Sequence, residues 1–222
     1  TDDALWKCLR SMDDKDIAYA TERLSLINRF YSVYINLVMV GPDGVAVTCS
    51  NPDRFPKIAG TDLSSTRWVK EALNTNSGDE YIVDDIFRDP LHENNMVAVY
   101  ATAIRNNGQV NGKVLGALGV YFDWEEQARV IVQDEPNLSK DEWEKSRVLL
   151  LDQNSRIIAA SDCKNLLEPF HLENNGETKG HYFNKQNQLV TFAKTIGYQE
   201  YDGLGWQGVI VQNNDTNNKL KK

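Results

Sequence analysis

The chain has 222 residues, 41% of them hydrophobic and 25% charged, which is the composition of a protein with a packed core rather than a disordered one. Its net charge is −8 and its lysines and arginines are scattered singly among acids, which argues against a nucleic-acid-binding surface, since phosphates need a basic face. No run of the roughly 18 apolar residues that a membrane span needs is present, and Cys8, Cys49 and Cys163 make neither a metal-ligand pattern nor a disulfide framework.

The chain opens at Thr1 within helical sequence and closes on the polar run Asn213–Lys219, so the expectation is a portion of a larger protein with spans or domains on either side. From Asp3 to about Tyr34 there is no glycine or proline. Ile17, Ala20, Leu24, Ile27, Tyr31 and Tyr34 recur at spacings of three and four, one apolar stripe down a long N-terminal helix over residues 1–35. Val38-Met39-Val40, the turn Gly41-Pro42-Asp43-Gly44 and Val45 to Ser50 then read as a β-hairpin. Asp62 to Ser65 offer capping side chains for a short helix over 66–74, whose apolar side is Trp68, Val69, Ala72 and Leu73. Tyr81-Ile82-Val83 resumes as a strand, and Asp84 to Glu93 reads as a solvated connecting loop. That loop gathers oxygen and imidazole groups but lacks the glycine and spacing of a calcium site. Strands follow at Val97–Ile104 and Leu115–Asp123. Beyond them lie helical sequence from Trp124 to Val132, a break at Asp134-Glu135-Pro136 and a short helix from Ser139.

The hairpin then repeats. Leu149-Leu150-Leu151, the turn Asp152 to Ser155 and Arg156 to Ser161 echo the first copy at a displacement of 111 residues, and both copies end on serine. Leu115 to Asp123 likewise echoes Leu204 to Gln212 at a displacement of 89, behind apolar strands at Val97–Ile104 and Leu189–Ile196. Two echoes in the same order indicate a duplicated unit, with the additional residues of the first copy holding the short helix. On this alignment Asp123 has the neutral Gln212 as its counterpart.

No catalytic constellation emerges, and no metal or cofactor is called for. His92, His171 and His181 have no partner at metal spacing, no serine sits in a nucleophile elbow, and no phosphate-binding glycine loop is present. Asp123 is the sharper feature. It closes an apolar strand, where it either caps the helix from Trp124 or faces a ligand. Trp68, Tyr81, Tyr100 and Tyr121 belong to the same repeat, and aromatic walls with one carboxylate suit a small cationic or amine-bearing ligand.

Several segments together resemble the double-Cache family, the extracytoplasmic ligand-binding regions of chemoreceptors, histidine kinases and diguanylate cyclases. They are Gly60-Thr61-Asp62-Leu63 running into Arg67-Trp68-Val69-Lys70-Glu71-Ala72, Tyr81-Ile82-Val83-Asp84, Gly116 to Glu125, and Gly203-Leu204-Gly205-Trp206. The resemblance implies an α+β chain. A long N-terminal helix is followed by a membrane-distal, ligand-binding PAS-like lobe over 36–124, a proximal lobe over 125–215 and a polar tail over 216–222. Each lobe is an antiparallel sheet of about five strands with flanking helices. It further implies a small-molecule sensor on the periplasmic side of the bacterial inner membrane, homodimeric in the full-length receptor, with Trp68, Tyr81, Asp84, Tyr100, Tyr121 and Asp123 as the candidate ligand-binding residues. In amino-acid-binding relatives an arginine two positions before the tryptophan holds the carboxylate. Here Thr66 occupies that place and Arg67, one position on, points about 100° away. An amine, an amino acid or a purine-like compound therefore fits the retained half of the motif. A cytoplasmic PAS- or GAF-like module carrying a prosthetic group, or serving as a protein-interaction domain, is the alternative from another class.

Overall fold

Helical sequence opens the chain, but the computed structural model, which describes residues 2–195 and 204–214, divides it into two helices. α1 runs Asp3–Ser11 and α2 runs Asp14–Phe30. Between them Met12 takes the left-handed conformation (φ 54°) and closes α1 by donating its N–H to the Cys8 carbonyl. The expected continuous rod is thus broken, and the reason lies in what the break buries. α1 carries its own apolar side, Leu5, Cys8 and Leu9, and the break lets it share one sheet face with Ala20 and Leu24 of α2. A left-handed methionine costs about 1–2 kcal/mol, whereas full burial of a single leucine returns about 1.5–3 kcal/mol. An ion pair from Arg23 to Asp2 at 2.8 Å ties the two helices together.

The chain forms two compact units, Thr1–Trp124 and Glu125–Lys222. In the first, β1 (Tyr34–Val40), β2 (Ala46–Cys49), β3 (Ile82–Asp89), β4 (Asn95–Arg105) and β5 (Val114–Asp123) form an antiparallel sheet in the order β2-β1-β5-β4-β3. Period-two alternation gives each central strand one foot in each of two cores. Val38, Val40, Val99, Ala101 and Tyr121 pack under α3 (Arg67–Leu73) and the loops before it, while Leu37, Met39 and Ile104 pack under α1 and α2. Helices therefore cover both faces of the first sheet.

The second unit repeats the topology. α4 (Trp124–Arg129) crosses the boundary and continues as a π-helical turn over Val130–Asp134. α5 (Lys140–Trp143) follows with a Ser139/Glu142 capping box. β6 (Ser146–Leu151), β7 (Ile157–Ala160), β8 (Lys179–Phe183), β9 (Leu189–Lys194) and β10 (Gln207–Gln212) then pair in the order β7-β6-β10-β9-β8. The duplication reaches single hydrogen bonds. Val38 pairs with Cys49 and Leu149 with Ala160, and each hairpin slips register one residue later. Ser50 Oγ accepts from the Leu37 N–H at 2.9 Å, and Ser161 Oγ accepts from the Val148 N–H at 3.0 Å. In place of α3, Leu166, Phe170 and Leu172 of the second unit cover its sheet.

One part of the sequence alignment is corrected. Val38 pairs with Gly119 while its repeat, Leu149, pairs with Val209, so Gly208 answers to Leu118 and the last strands were aligned one residue out. A one-residue slip exchanges the faces of a strand. The counterpart of Asp123 is therefore Asn213, whose Oδ1 accepts from Gln188 at 2.8 Å, and not Gln212. Ile196, Gly203 and the tail over 216–222 lie outside the described residues.

At the far end of β4, buried Arg105 donates to the carbonyls of Gly112 (2.9 Å) and Thr75 (2.5 Å), holding the end of α3 against the β4–β5 turn. Its Nε is a buried donor without a partner. Arg105→Met should lower unfolding free energy by about 2–3 kcal/mol, the scale of hydrogen bonds from a charged group, as read by urea denaturation; an unchanged midpoint would remove it from this role.

Candidate functional site

The first unit concentrates its chemistry on the sheet face beneath α3. The strand registers lay Asp84, Val99, Tyr121 and Asn36 side by side in one row across β3, β4, β5 and β1. In the next row are Ala101, Gly119 and Val38, and on Gly119 rests the indole of Trp68. A Cβ at position 119 would stand 3.0–3.2 Å from three indole carbons, so any side chain there would push the ring off its seat by a few tenths of an ångström. Trp68 is fully buried and lies edge-on to the Tyr121 ring at 6.1 Å, its side chain beside the Tyr121 hydroxyl. Burial above all, helped by the charges of Asp89 and Asp84, pushes the Tyr121 hydroxyl far above the usual phenol range, so it stays protonated.

Asp84 stands at the N-terminal end of α3 from a different strand. Its carboxylate accepts the Asp85 N–H at 2.9 Å and faces the backbone N–H of Trp68, and Arg67 lies 3.7 Å away. The sequence placed the cap of α3 within Asp62–Ser65. Thr66 takes the cap conformation without a side-chain cap bond, and a tertiary carboxylate serves the helix end. Desolvation by burial nonetheless dominates and raises the Asp84 pKa. Arg67 divides itself between Asp84 and Glu71, the latter at 2.8 Å.

Asp84 to Glu93 is not a solvated loop. It is β3 followed by a 3-10 turn, Pro90–His92, in which Asp89 and His92 are buried. His92 Nδ1 is 2.8 Å from Asp89 Oδ2, and Nε2 is 3.1 Å from Asn36 Nδ2. Its ring sits against Tyr121 at 4.4 Å and Phe55 at 4.8 Å. Sequence reasoning missed Asn36, Ser50, Asp89 and His92 as a group. The available signal was Asn36, a polar residue inside the apolar run Ile35–Val40.

The six sequence candidates fall into two sets. Trp68, Asp84 and Tyr121 share the face just described, and Asp123, two residues along β5 from Tyr121, lies at its half-buried margin near Arg54. Tyr100 alternates to the other face, where it stacks on Tyr81 at 6.3 Å and meets Phe122 at 5.1 Å; Tyr81 is 53% exposed. Trp68 and Tyr121 are buried beneath α3, and the second unit has open concavities. One, of about 450 Å³, is apolar and bordered by Ile131, Pro136, Leu150 and Ile210. The other, of about 250 Å³, lies beside Asp141, Lys145 and Asn213. Among the described residues no group of three His, Cys, Asp or Glu could hold a metal, and no helix is long and apolar enough to cross a membrane.

No protein-family model and no curated protein matches the chain. Solved structures do. The sensor domain of the Vibrio cholerae histidine kinase DctB is 10% identical, covering 96% of this chain and 85% of its own, at a TM-score of 0.69. The ligand-binding domain of the Campylobacter jejuni chemoreceptor Tlp3, in complex with L-norvaline, is 20% identical, covering 94% and 79%, at 0.64. An extracellular ligand binding receptor from Desulfohalobium retbaense is 12% identical, covering 95% of this chain but 39% of that longer one, at 0.60. The likeness is one of fold: an N-terminal helical segment followed in the chain by two five-stranded antiparallel units, the double-Cache fold.

Two outcomes follow for the site under α3. Gly119→Ala should displace the indole and cost about 1–3 kcal/mol, with a shift in tryptophan emission; an unshifted spectrum and unchanged stability would deny the seat. For Asp84, a raised folded pKa means that the unfolded chain ionises first as pH climbs, so stability present below the ordinary aspartate value is lost above it. Asp84→Asn should therefore be more stable than the parent at pH 7 and gain little at pH 3, by denaturant unfolding; a less stable Asn variant at pH 7 reverses the sign.

Proposed function

We propose that this chain is the small-molecule sensor region of a transmembrane signalling receptor, facing the periplasm, with its ligand in the first unit and no catalytic step of its own. The observation that carries the reading is Asp84. A carboxylate whose charge burial disfavours, beside a protonated Tyr121 hydroxyl and under a tryptophan seated on glycine, is a group that a cationic ligand would relieve. Burying a charge is costly unless it is fully paired; Asp84 shares Arg67, 3.7 Å away, with Glu71, so a cation bound among these aromatic side chains would supply the rest of its counter-charge. Asp123 extends the same polarity to the compartment's margin. The ligand is thus an amine-bearing small molecule: a biogenic amine, an amino acid or a purine-like compound. The likeness to a chemoreceptor domain that holds L-norvaline and to an extracellular ligand binding receptor supports this over a cytoplasmic prosthetic-group module. The output domain lies in the remainder of the receptor.

The same reading makes the receptor a homodimer through α2. Tyr19, Leu26 and Phe30 form an outward apolar line on that helix, Phe30 being 77% exposed. One helix face is a small interface, so the isolated chain should be monomeric, while Phe30→Cys in membranes should cross-link to its partner. Absence of the cross-linked species at positions 26 and 30 alike would remove this interface.

A thermal-shift panel of amines, amino acids, purines and organic acids identifies the ligand. At a hundred times its dissociation constant, it should add about 2.7 kcal/mol of stability. Loss of a charge-assisted hydrogen bond is worth about 1.5–3 kcal/mol, so Asp84→Asn and Asp123→Ala should each weaken a cationic ligand by roughly ten- to a hundredfold in calorimetry. If Asp123 only caps α4, its alanine variant should instead bind normally and lose about 1 kcal/mol of stability. Binding untouched by both substitutions contradicts the site.

A further inference from the structure

A chain of buried polar side chains leaves this compartment and ends on a helix. Asp89 Oδ1 accepts the Leu91 N–H at 2.9 Å, and its Oδ2 is 2.8 Å from His92 Nδ1. His92 Nε2 meets Asn36 Nδ2, and Asn36 Oδ1 accepts from the Leu37 N–H (3.0 Å) and from Ser50 Oγ (2.8 Å). Ser50 Oγ also lies 3.0 Å from Asn28 Oδ1 on α2, and Asn28 Nδ2 donates to the Tyr34 carbonyl at 2.7 Å. Asn36 and Ser50 are buried, and Ser25, one turn before Asn28, donates to the Ser50 carbonyl.

The polarity of the chain is determined at its middle. A backbone N–H can only donate, so the bond from Leu37 assigns the oxygen of the Asn36 amide and turns its NH2 toward His92. Nε2 must then accept, and Nδ1 carries the hydrogen it gives to Asp89. Further along, Ser50 has one hydrogen and two acceptors within reach, Asn36 Oδ1 and Asn28 Oδ1, and the Leu37 N–H is shared between Asn36 Oδ1 and Ser50 Oγ. With Ser50 turned to Asn36, α2 loses a bond; with Ser50 turned to Asn28, β1 loses one. These are two discrete settings of a buried network, the kind of element on which coupling between sites depends.

The second unit shows that the fold does not require this chain. It keeps the serine clasp, Ser161 on Val148, but Arg147 stands where Asn36 does and pairs outward with Asp162 at 3.0 Å. Its β8–β9 turn, Asn184–Gln188, has no histidine. The same sheet closes without a polar relay in one copy, while the other buries four side chains, Asp89, His92, Asn36 and Ser50, and reaches half-buried Asn28 to make one. Such groups are costly unless every member is satisfied.

We infer that the Asp89–His92–Asn36–Ser50–Asn28 chain is the coupling element by which a change at the wall of the Trp68–Tyr121 compartment is felt at the C-terminal half of α2. The inference rests on the ligand site proposed above for its biological use, but the coupling itself is a property of the ligand-free chain. A ligand that moves the Tyr121 ring or the Pro90–His92 turn changes the His92–Asn36 bond, and with it the acceptor strength that Asn36 offers Ser50. His92 acts here as a positioning residue.

Hydrogen–deuterium exchange on the ligand-free chain tests it from both ends. His92→Phe keeps an aromatic ring between Phe55 and Tyr121 but removes both bonds. It should speed exchange of the α2 amides from Leu24 to Phe30 by up to about tenfold, the loss of one net hydrogen bond, and leave α2 before Ala20 unchanged. Ser50→Ala should speed exchange at Leu91, Glu93 and Asn94 in turn, and it carries the test alone if His92→Phe fails to fold. Acceleration confined to the neighbourhood of each substitution, or spread evenly through β4 and β5, overturns the coupling. A panel that yields no ligand would defeat the sensor reading and leave this result standing.

Discussion

The seat of Trp68 on Gly119 is the constraint on which the first unit depends. Without a side chain at 119, the six-membered ring of the indole rests close against β5. α3 can then approach the sheet closely enough for its N-terminal amide to face Asp84 on β3, and for the indole to lie beside Tyr121 on β5. Two strands and a helix are thereby joined through one aromatic residue, with a carboxylate and a phenol drawn beneath it. The opposite face of the same strands packs against helices. Leu37, Met39 and Ile104 close it against α1 and α2, and the fold of the helical segment back on itself at Met12 completes that closure.

The internal duplication separates what the architecture needs from what the first copy has added. Strand order, hairpin register and the serine clasp are common to both units, so they belong to the fold. Among the described residues, α3, the Trp68 seat with Asp84 beside it and the Asn36–His92 chain occur in the first copy alone, whereas the buried carboxylate of the second, Asp152, is satisfied within its own hairpin turn by Asn154 and Arg156. The second copy covers the same face with Leu166, Phe170 and Leu172, an apolar solution of lower polar cost. The additions gather on one face and around one compartment, which is the distribution expected of a site grafted on a scaffold.

Much of this was legible in the amino-acid order. Alternation in Val38–Val40 and its echo at Leu149–Leu151 announced two equivalent hairpins, and Trp68, Tyr121 and Asp84 emerged as candidates. Three things were not legible, each for a physical reason. No glycine or proline marks the break at Met12, because a left-handed methionine is sustained by tertiary burial and not by local preference. The register of β5 against β10 was read from paired glycines, yet hydrogen bonding to the neighbouring strand sets it. Asp84 to Glu93 looked like a solvated loop because of its charge. Asp89 and His92 satisfy one another and Asn36 across strands, which a linear pattern of polarity does not reveal.

The account turns on Asp84 being a carboxylate that burial holds against its charge until a ligand relieves it. Carbon-detected NMR titration of the Asp84 carboxyl tests that directly, first in the ligand-free chain and then with the strongest stabiliser from the amine panel. The account predicts a pKa above the ordinary aspartate value of about 3.9 in the free chain, falling when the cationic ligand is added. An Asp84 that titrates at or below that value in the free chain, or that is indifferent to the bound amine, would contradict it.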